Sequence, residues 1–463
     1  MLVMKMKKTI PVTTGKMYDI IIEDLSHDGL GMARIDGFLV FVKNALPQER
    51  VVVRMISAKK KYGHAEVIEV IKPAPERIAP PCPLFFECGG CQIQHLSYEA
   101  QLEFKRRIVT RNIEKFARIE NPPVMEVIGM EEPWRYRNKT QVPFGRNDQG
   151  EIVAGFYQSR SHNIIDMPSC LVQTEVADEI VAKVKKICTE FGIEPYNEAT
   201  NSGDLRHVVV RVGFKTNEIM IVIVTRSEEV PNKDKLISEL TNTFPAVKSI
   251  VQNVNDQKTN VIFGAITKTL CGSDYIKDEL CGLEFLISAR SFYQINPIQT
   301  EVLYQKAVEF ADIQKNDIVF DAYCGIGTIT LFLARVAKQV YGVEIVPEAI
   351  ADAKVNAQIN GLNNAEFEVG KSEVVIPRLI QEGIIPDVIV VDPPRKGCDS
   401  ELLEAIINAA PKRVVYVSCD SATLARDIEI LVRGGYQLDV VQPVDMFSQT
   451  AHVETVALMS RKK

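Results

Sequence analysis

Asp317-Ile-Val-Phe-Asp321-Ala-Tyr-Cys-Gly325-Ile-Gly327-Thr-Ile-Thr-Leu-Phe-Leu-Ala334 decides the fold of this chain. It reads as a strand, a glycine turn and a helix, and the glycines let a ligand approach the helix N-terminus closely. The next strand ends at Gly342-Val343-Glu344, nineteen residues past Gly325. An acidic residue there can accept both hydroxyls of a ribose. A dinucleotide would use the same pair, but its third glycine is Thr330 here. Asp321 would repel a pyrophosphate and suits a ligand with a cationic amino-acid end, which favours S-adenosylmethionine.

Working outward, strands and helices alternate regularly over residues 289–463, predicting a parallel sheet wrapped by helices. Asp387-Val-Ile-Val-Val-Asp392-Pro-Pro-Arg395 is a strand ending in a carboxylate and a proline-stiffened loop. Arg413-Val-Val-Tyr-Val-Ser418-Cys419-Asp420 ends in a thiol. Ligands of an open α/β sheet sit beyond the carboxyl ends of its strands, so Gly325, Glu344, Asp392 and Cys419 are predicted to share one crevice.

A thiol there has a chemical rationale. Carbon 5 of uracil is a poor nucleophile, and attack of a thiolate on carbon 6 makes it an enolate carbon able to take a methyl group. A base must then remove the proton from carbon 5. The final strand, beginning near Gln449-Thr-Ala-His452-Val453-Glu454, supplies Glu454 if it runs antiparallel. His452 reads as a structural neighbour. Methylation of an exocyclic amine, the first rival reading, needs neither group. The second rival, a non-catalytic RNA-binding protein, sits poorly with intact Gly325, Glu344, Cys419 and Glu454.

The N-terminal side carries different signals. Cys82-x5-Cys88-x2-Cys91 sets three thiols within ten residues around Gly89 and Gly90. One metal centre needs a fourth ligand, and Cys170 after the Pro168 turn is the candidate. Cys188, at an apolar helical position, reads as a core thiol. Four thiolates suit zinc and iron–sulfur alike and close the site. Upstream, Lys16–Glu23, Gly37–Val42, Arg50–Met55 and Tyr62–Ile71 read as short strands of a small barrel. Lys72-Pro-Ala-Pro-Glu-Arg-Ile-Ala-Pro-Pro81 is a stiff linker. Three basic runs precede the catalytic motifs: Lys59–Lys61, Lys105–Arg107 and Arg135–Lys139, the last behind Trp134. They are candidate RNA contacts.

The chain of 463 residues has 46% hydrophobic and 25% charged residues, ordinary for a protein with a real core, and a net charge of −6. Bulk charge therefore does not announce a nucleic-acid binder. No apolar run reaches eighteen residues, and the Met/Lys stretch at 1–8 is too short for a signal peptide. The expectation is a cytoplasmic protein, with no membrane and no obligate protein partner.

Two resemblances sharpen this. Gly29-Leu-Gly-Met-Ala-Arg34 and Ala45-Leu-Pro-Gln-Glu49 resemble a TRAM domain, an OB-like RNA-binding module. Ser291-Phe-Tyr-Gln-Ile-Asn-Pro297, Asp321-Ala-Tyr-Cys-Gly-Ile-Gly327, Asp392-Pro-Pro-Arg395, Ser418-Cys-Asp-Ser-Ala-Thr-Leu-Ala-Arg-Asp427 and His452-Val-Glu454 resemble the RNA uracil-C5 methyltransferases of the RumA/TrmA kind, over nearly the whole chain. The resemblance implies that Gln294, Tyr323, Glu344 and Asp392 contact S-adenosylmethionine. It also implies that Gln294 and Asp392 address the uracil, that Cys419 is the nucleophile and that Glu454 is the base. Cys82, Cys88, Cys91 and Cys170 match a [4Fe-4S] site, with zinc the alternative. The implied organisation is a TRAM barrel (1–72), a central α+β domain with the cluster (73–288) and a Rossmann-like methyltransferase domain (289–463). A helix near 93–121 is expected to pack on the catalytic part. The module and the thiols point to 23S ribosomal RNA and 5-methyluridine, with transfer RNA the alternative. Many relatives read Ser-Cys-Asn-Pro where this chain has Ser418-Cys419-Asp420-Ser421, which predicts a looser loop and a disfavoured thiolate.

Overall fold

The computed structural model describes residues 10–158 and 161–462. The Met/Lys stretch at 1–8 lies outside them. The chain divides into two compact units, residues 1–108 with 447–452, and residues 109–446 with 453–463.

The first unit is built on a six-stranded sheet in the order Met17–Ile21, Arg50–Ala58, Tyr62–Lys72, Phe38–Lys43, Gly31–Ile35, Asp24–Leu25. Alternation drives it: Val40, Val42, Val51, Val53, Met55 and Ala65 point inward and are buried. The proline linker is welded to this barrel. The fully buried Glu49 accepts from the N–H of Leu46 at 2.8 Å and of Ala74 at 3.2 Å, and from Arg77 Nη2 at 2.8 Å. Against the cost of burial, Arg77 and those N–H groups hold its carboxyl below the ordinary range. Segment 447–452 belongs here through Gln449, whose carbonyl accepts from the N–H of Gln92 and Ile93, both at 3.2 Å. The Gln101 amide donates to Gln449 Oε1 at 3.0 Å.

The second unit holds two seven-stranded sheets. One runs from Ile266–Gly272 through Val247–Val254, Ile219–Thr225, Leu205–Val212, Lys139–Arg146 and Ile152–Tyr157 to Ile164–Asp166. The unbroken apolar run of Ile219–Thr225 is buried on both faces, covered in part by the helix Glu175–Phe191. Cys188 is in that core, and burial pushes its thiol up to about 12.

The other sheet has the order Ala365–Val369, Gln339–Glu344, Ile318–Ala322, Val388–Val391, Arg413–Ser418, Glu454–Arg461, Tyr436–Val444. The first five are parallel, and Glu454–Arg461 is inserted antiparallel between its two neighbours. Chain order reverses at Ile318–Ala322 beside Val388–Val391, so the crevice opens outside the carboxyl ends of those strands. From Val109 onward, the helix Tyr98–Asn112 and the turn after it bury Val109, Ile113 and Ala117 in the core of this sheet. Among the described residues, no helix is long and apolar enough to cross a membrane.

Candidate active site

Strand Ile318–Ala322 runs into a turn whose Tyr323, Gly325 and Gly327 all have positive φ, at 67°, 56° and 84°. At Gly327 an added Cβ would meet the Phe367 ring at 3.1 Å and Ala353 at 3.2 Å, so both conformation and space require glycine. Thr330, where a dinucleotide fingerprint would need its third glycine, has another use: its hydroxyl donates to Asp321 Oδ2 at 2.5 Å. Asp321 is fully buried, and its Oδ1 has no hydrogen-bond partner among the described residues. Burial, partly countered by Thr330, pushes its carboxyl up to about 7. An acceptor left open in this way fits an ammonium group. Glu344 lies beside the turn, accepting from the N–H of Gly325 at 3.3 Å and of Val346 at 2.9 Å.

Register brings the remaining groups together. Ser418 pairs with Thr455 across the antiparallel ladder, so Cys419 and Glu454 occupy the next rung. The N–H of Asp392 donates to the carbonyl of Ala322 at 3.3 Å, placing this carboxylate beside the glycine turn. Cys419 is half-buried and Glu454 is 3% exposed. Burial, then the Glu454 and Asp392 carboxylates, push the Cys419 thiol up to about 11 against a pull from Arg395. Burial and Asp392 push Glu454 up to about 8, again opposed by Arg395. Burial alone takes Asp392 to about 7. The crevice thus gathers acidic groups whose charged forms are disfavoured by burial and by one another.

Gln294 is fixed through its backbone. Its carbonyl accepts from Asn138 Nδ2 at 3.0 Å, and the side chain is buried. Around it, Arg211 donates to Ser291 O at 2.5 Å and Asn296 donates to Met446 O at 3.0 Å. Asn296 also caps the helix Pro297–Ala311.

Asp420 does not confront the thiol. Its side chain accepts from the N–H of Ala422 at 2.9 Å and of Thr423 at 3.1 Å, capping the helix Ser421–Arg433. Ser421 in turn accepts from Asn112 Nδ2 at 2.8 Å. The loop is therefore held without proline, and the carboxylates that disfavour the thiolate are Glu454 and Asp392.

Several contributors were given no role by the sequence, Asp427 among them although it closes a quoted motif. The Asp392-Pro-Pro-Arg395 loop is clamped by the fully buried Asp427, which accepts from Tyr416 Oη at 2.6 Å and from the N–H of Cys398 at 2.8 Å. Gly397, at φ 81°, leaves room for this: a Cβ there would meet Arg426 Nη2 at 2.4 Å. Arg395 was visible inside its motif, but its pull on both Cys419 and Glu454 was not.

Two basic runs have internal uses. Lys105 is fully buried with its ammonium on Phe447 O at 3.1 Å, and Arg135 pairs with Asp178 at 2.8 Å. Lys59, Lys60 and Lys61 are exposed. Of the predicted cluster ligands, Cys82, Cys88 and Cys91 lie in the first unit and Cys170 in the second. Among the described residues, no three His, Cys, Asp or Glu side chains are gathered closely enough to hold a metal ion. The donor chemistry of the loop still suits a thiolate centre, since the Gly90 N–H donates to Cys88 Sγ at 3.3 Å.

Comparison with known proteins agrees with this architecture. Residues 11–68 match the TRAM domain family, and residues 313–433 match a methyltransferase domain family. The chain is 53% identical over 456 residues to an uncharacterized RNA methyltransferase of Halalkalibacterium halodurans, covering 98% of this chain and 99% of that one. It is 50% identical over 455 residues to another from Clostridium tetani, covering 98% of each. Among solved structures, a Pyrococcus abyssi tRNA (uracil-54, C5)-methyltransferase in complex with S-adenosyl-L-homocysteine matches with a TM-score of 0.77. The two are 28% identical, and the match covers 96% of this chain and all of that one. The chain belongs to the RumA/TrmA-type family of RNA methyltransferases.

Proposed function

We propose that this protein methylates carbon 5 of a uracil in RNA, through a covalent adduct between Cys419 and carbon 6. The observation that carries the reading is a thiol and a buried carboxylate opposite each other, one step beyond the Ser418–Thr455 pair, at the edge where the glycine turn opens.

S-adenosylmethionine supplies the methyl group as a sulfonium. Asp321 and Glu344 would hold its ammonium and ribose, with Tyr323, Gln294 and Asp392 along the same crevice. Cys419 releases its proton to water, favoured by the positive charge that has entered. Its sulfur bonds to carbon 6, and the ring electrons move to the carbonyl oxygen at carbon 4. Gln294 and Asp392 address the uracil edge and hold carbon 5 toward the methyl group. The enolate electrons form the bond from carbon 5 to the methyl, and the pair of the broken carbon–sulfur bond would stay with the departing thioether sulfur. Glu454, in its ionised form, removes the proton from carbon 5, and the returning electrons expel the Cys419 thiolate. A uracil within structured RNA must leave its stack to reach Cys419.

The Cys82, Cys88, Cys91 and Cys170 set is proposed to bind a [4Fe-4S] cluster with no step in this chemistry. Iron and sulfide analysis of anaerobically purified protein tests it, and zinc alone is the contrary result. The proposed target is 23S ribosomal RNA, on the pairing of the TRAM module with the four thiols. Transfer RNA is the second reading, favoured by the extent of the match to the Pyrococcus abyssi enzyme.

Trapping with 5-fluorouracil RNA tests the mechanism: the parent protein forms a stable adduct and Cys419→Ala does not. Methylation with no trapped adduct would point to the exocyclic amine chemistry. Mapping 5-methyluridine in ribosomal and transfer RNA of a deletion strain assigns the substrate.

A further inference from the structure

Cys419 stands between the last rung of a strand and the cap of a helix. Upstream, Ser418 is held in the sheet by its pairing with Thr455, whose hydroxyl also donates to Ser418 O at 3.2 Å. A short bridge spans the cysteine. The Ser418 hydroxyl donates to Asp420 O at 3.0 Å and accepts from the Asp420 N–H at 3.1 Å. Asp420 in turn caps the helix Ser421–Arg433. The direction of the sulfur therefore depends on how that helix is seated as well as on the sheet.

One side chain fixes the seat from outside the helix. The Ser421 side chain is buried, and its hydroxyl accepts from Asn112 Nδ2 at 2.8 Å. Asn112 ends the helix Tyr98–Asn112, and the next five residues, Ile113–Ala117, form a π turn that stops at Arg118 with φ 59°. Such turns are rare and are frequent at functional sites. Val109, Ile113 and Ala117 share one apolar cluster with Leu424, Ala425 and Ile428. That burial packs the two segments without imposing a direction. The Asn112 bond is directional and falls two residues from the sulfur. Ser421 is also the first helical residue, a place where proline fits because its missing N–H and fixed φ cost nothing there. Asp420 before it is extended, at φ −139° and ψ 104°, the region that a following proline favours. The backbone thus holds the conformation a ring would impose, and a side chain from a distant segment secures it.

We propose that Asn112 is a positioning residue for the thiol: through Ser421 it sets the direction in which Cys419 meets carbon 6. This rests on the reading of Cys419 as the nucleophile. A hydrogen bond between packed helices also stabilises a fold, so the test must separate aim from stability.

The experiment uses the full chain and 5-fluorouracil RNA. It reads the rate of adduct formation at saturating RNA and S-adenosylmethionine, the RNA concentration at half saturation, and the melting temperature. In Asn112→Ala the rate should fall on the order of ten- to a hundredfold, since a small misplacement of a reacting atom costs that much. Half saturation and melting temperature should stay close to the parent. Ser421→Ala removes the acceptor instead and should give the same loss, and the double variant should lose no more than either alone. Ser421→Pro should restore most of the rate to Asn112→Ala, because the ring supplies the lost constraint. If Asn112→Ala does not fold, the contrast between a slow Ser421→Ala and a parent-like Ser421→Pro carries the same test. An unchanged rate in Asn112→Ala would overturn the positioning role. So would additive losses in the double variant, or no recovery with Ser421→Pro. In each of those cases the parent still forms its adduct and the uracil mechanism stands. A parent that forms no adduct would instead remove the nucleophile, and this proposal with it.

Discussion

The crevice of the second unit and the barrel of the first both carry charged groups, and they treat charge in opposite ways. In the crevice Asp321, Asp392 and Glu454 are withdrawn from water and pushed toward neutrality at about 7 to 8. On the barrel, Lys59 to Lys61 stay in solvent. Burial tunes a group for proton transfer, whereas exposure keeps it available for long-range attraction. Buried carboxyls thus suit proton transfer in one place, and exposed ammonium groups suit long-range attraction in the other.

The sharpest break in this comparison comes from the thiol. Cys419→Ala should lower turnover by at least about a thousandfold and abolish the trapped adduct, with RNA affinity unchanged; full turnover would remove the nucleophile from the scheme. Next is the base. Glu454→Gln should still attach RNA but release it on the order of a hundred- to a thousandfold more slowly, read from decay of the adduct on gels.

In the parent, adduct decay should rise with pH and level off above about 8, because only ionised Glu454 accepts the proton. The same shift acts on stability. Folding raises this carboxyl, so its contribution is full below the ordinary carboxylate range and is lost as pH rises through about 8. Glu454→Gln should therefore melt higher than the parent at about pH 9 and nearly level with it at about pH 5. A flat difference across that range would show that Glu454 is not held as the structure indicates.

Stability sharpens the contrast further. Arg77→Ala leaves the buried Glu49 carboxylate without its guanidinium, and should cost about 3–5 kcal/mol in the first unit by denaturant titration. The smallest expected effect is at the catalytic loop. Asp420→Ala removes two accepted N–H bonds and should cost about 1 kcal/mol, with a modest loss of adduct rate.

What was legible in the sequence follows from range. The strand–turn–helix at 317–334 and the strand ending at Cys419 are local patterns, and the apolar run of Phe38–Lys43 is visible within six residues. The antiparallel final strand was readable only as a condition on Glu454, and the register of Ser418 with Thr455 satisfies it. The basic runs were harder. Lys105 meets a carbonyl 342 residues away and Arg135 a carboxylate 43 residues away, and composition cannot show that such charges are already engaged. Asp420 looked like a threat to the thiolate because sequence lists neighbours without directions. Its carboxylate turns to the helix behind it. The Asp427 clamp reaches Tyr416 and Cys398 from separate elements, and only the fold brings the three together.

The final strand Glu454–Arg461 follows both of its neighbours in the chain yet is placed between them. During synthesis the sulfur-bearing strand therefore emerges well before the carboxylate that would free it. Until the last strand is inserted, one flank of Arg413–Ser418 has no ladder partner and the crevice lacks Glu454. On the proposed mechanism, the nucleophile and the base would come together only once that strand is seated. The same topology suggests a division of the protein: a chain cut within 445–453 would regain activity only when its last strand is supplied as a separate peptide.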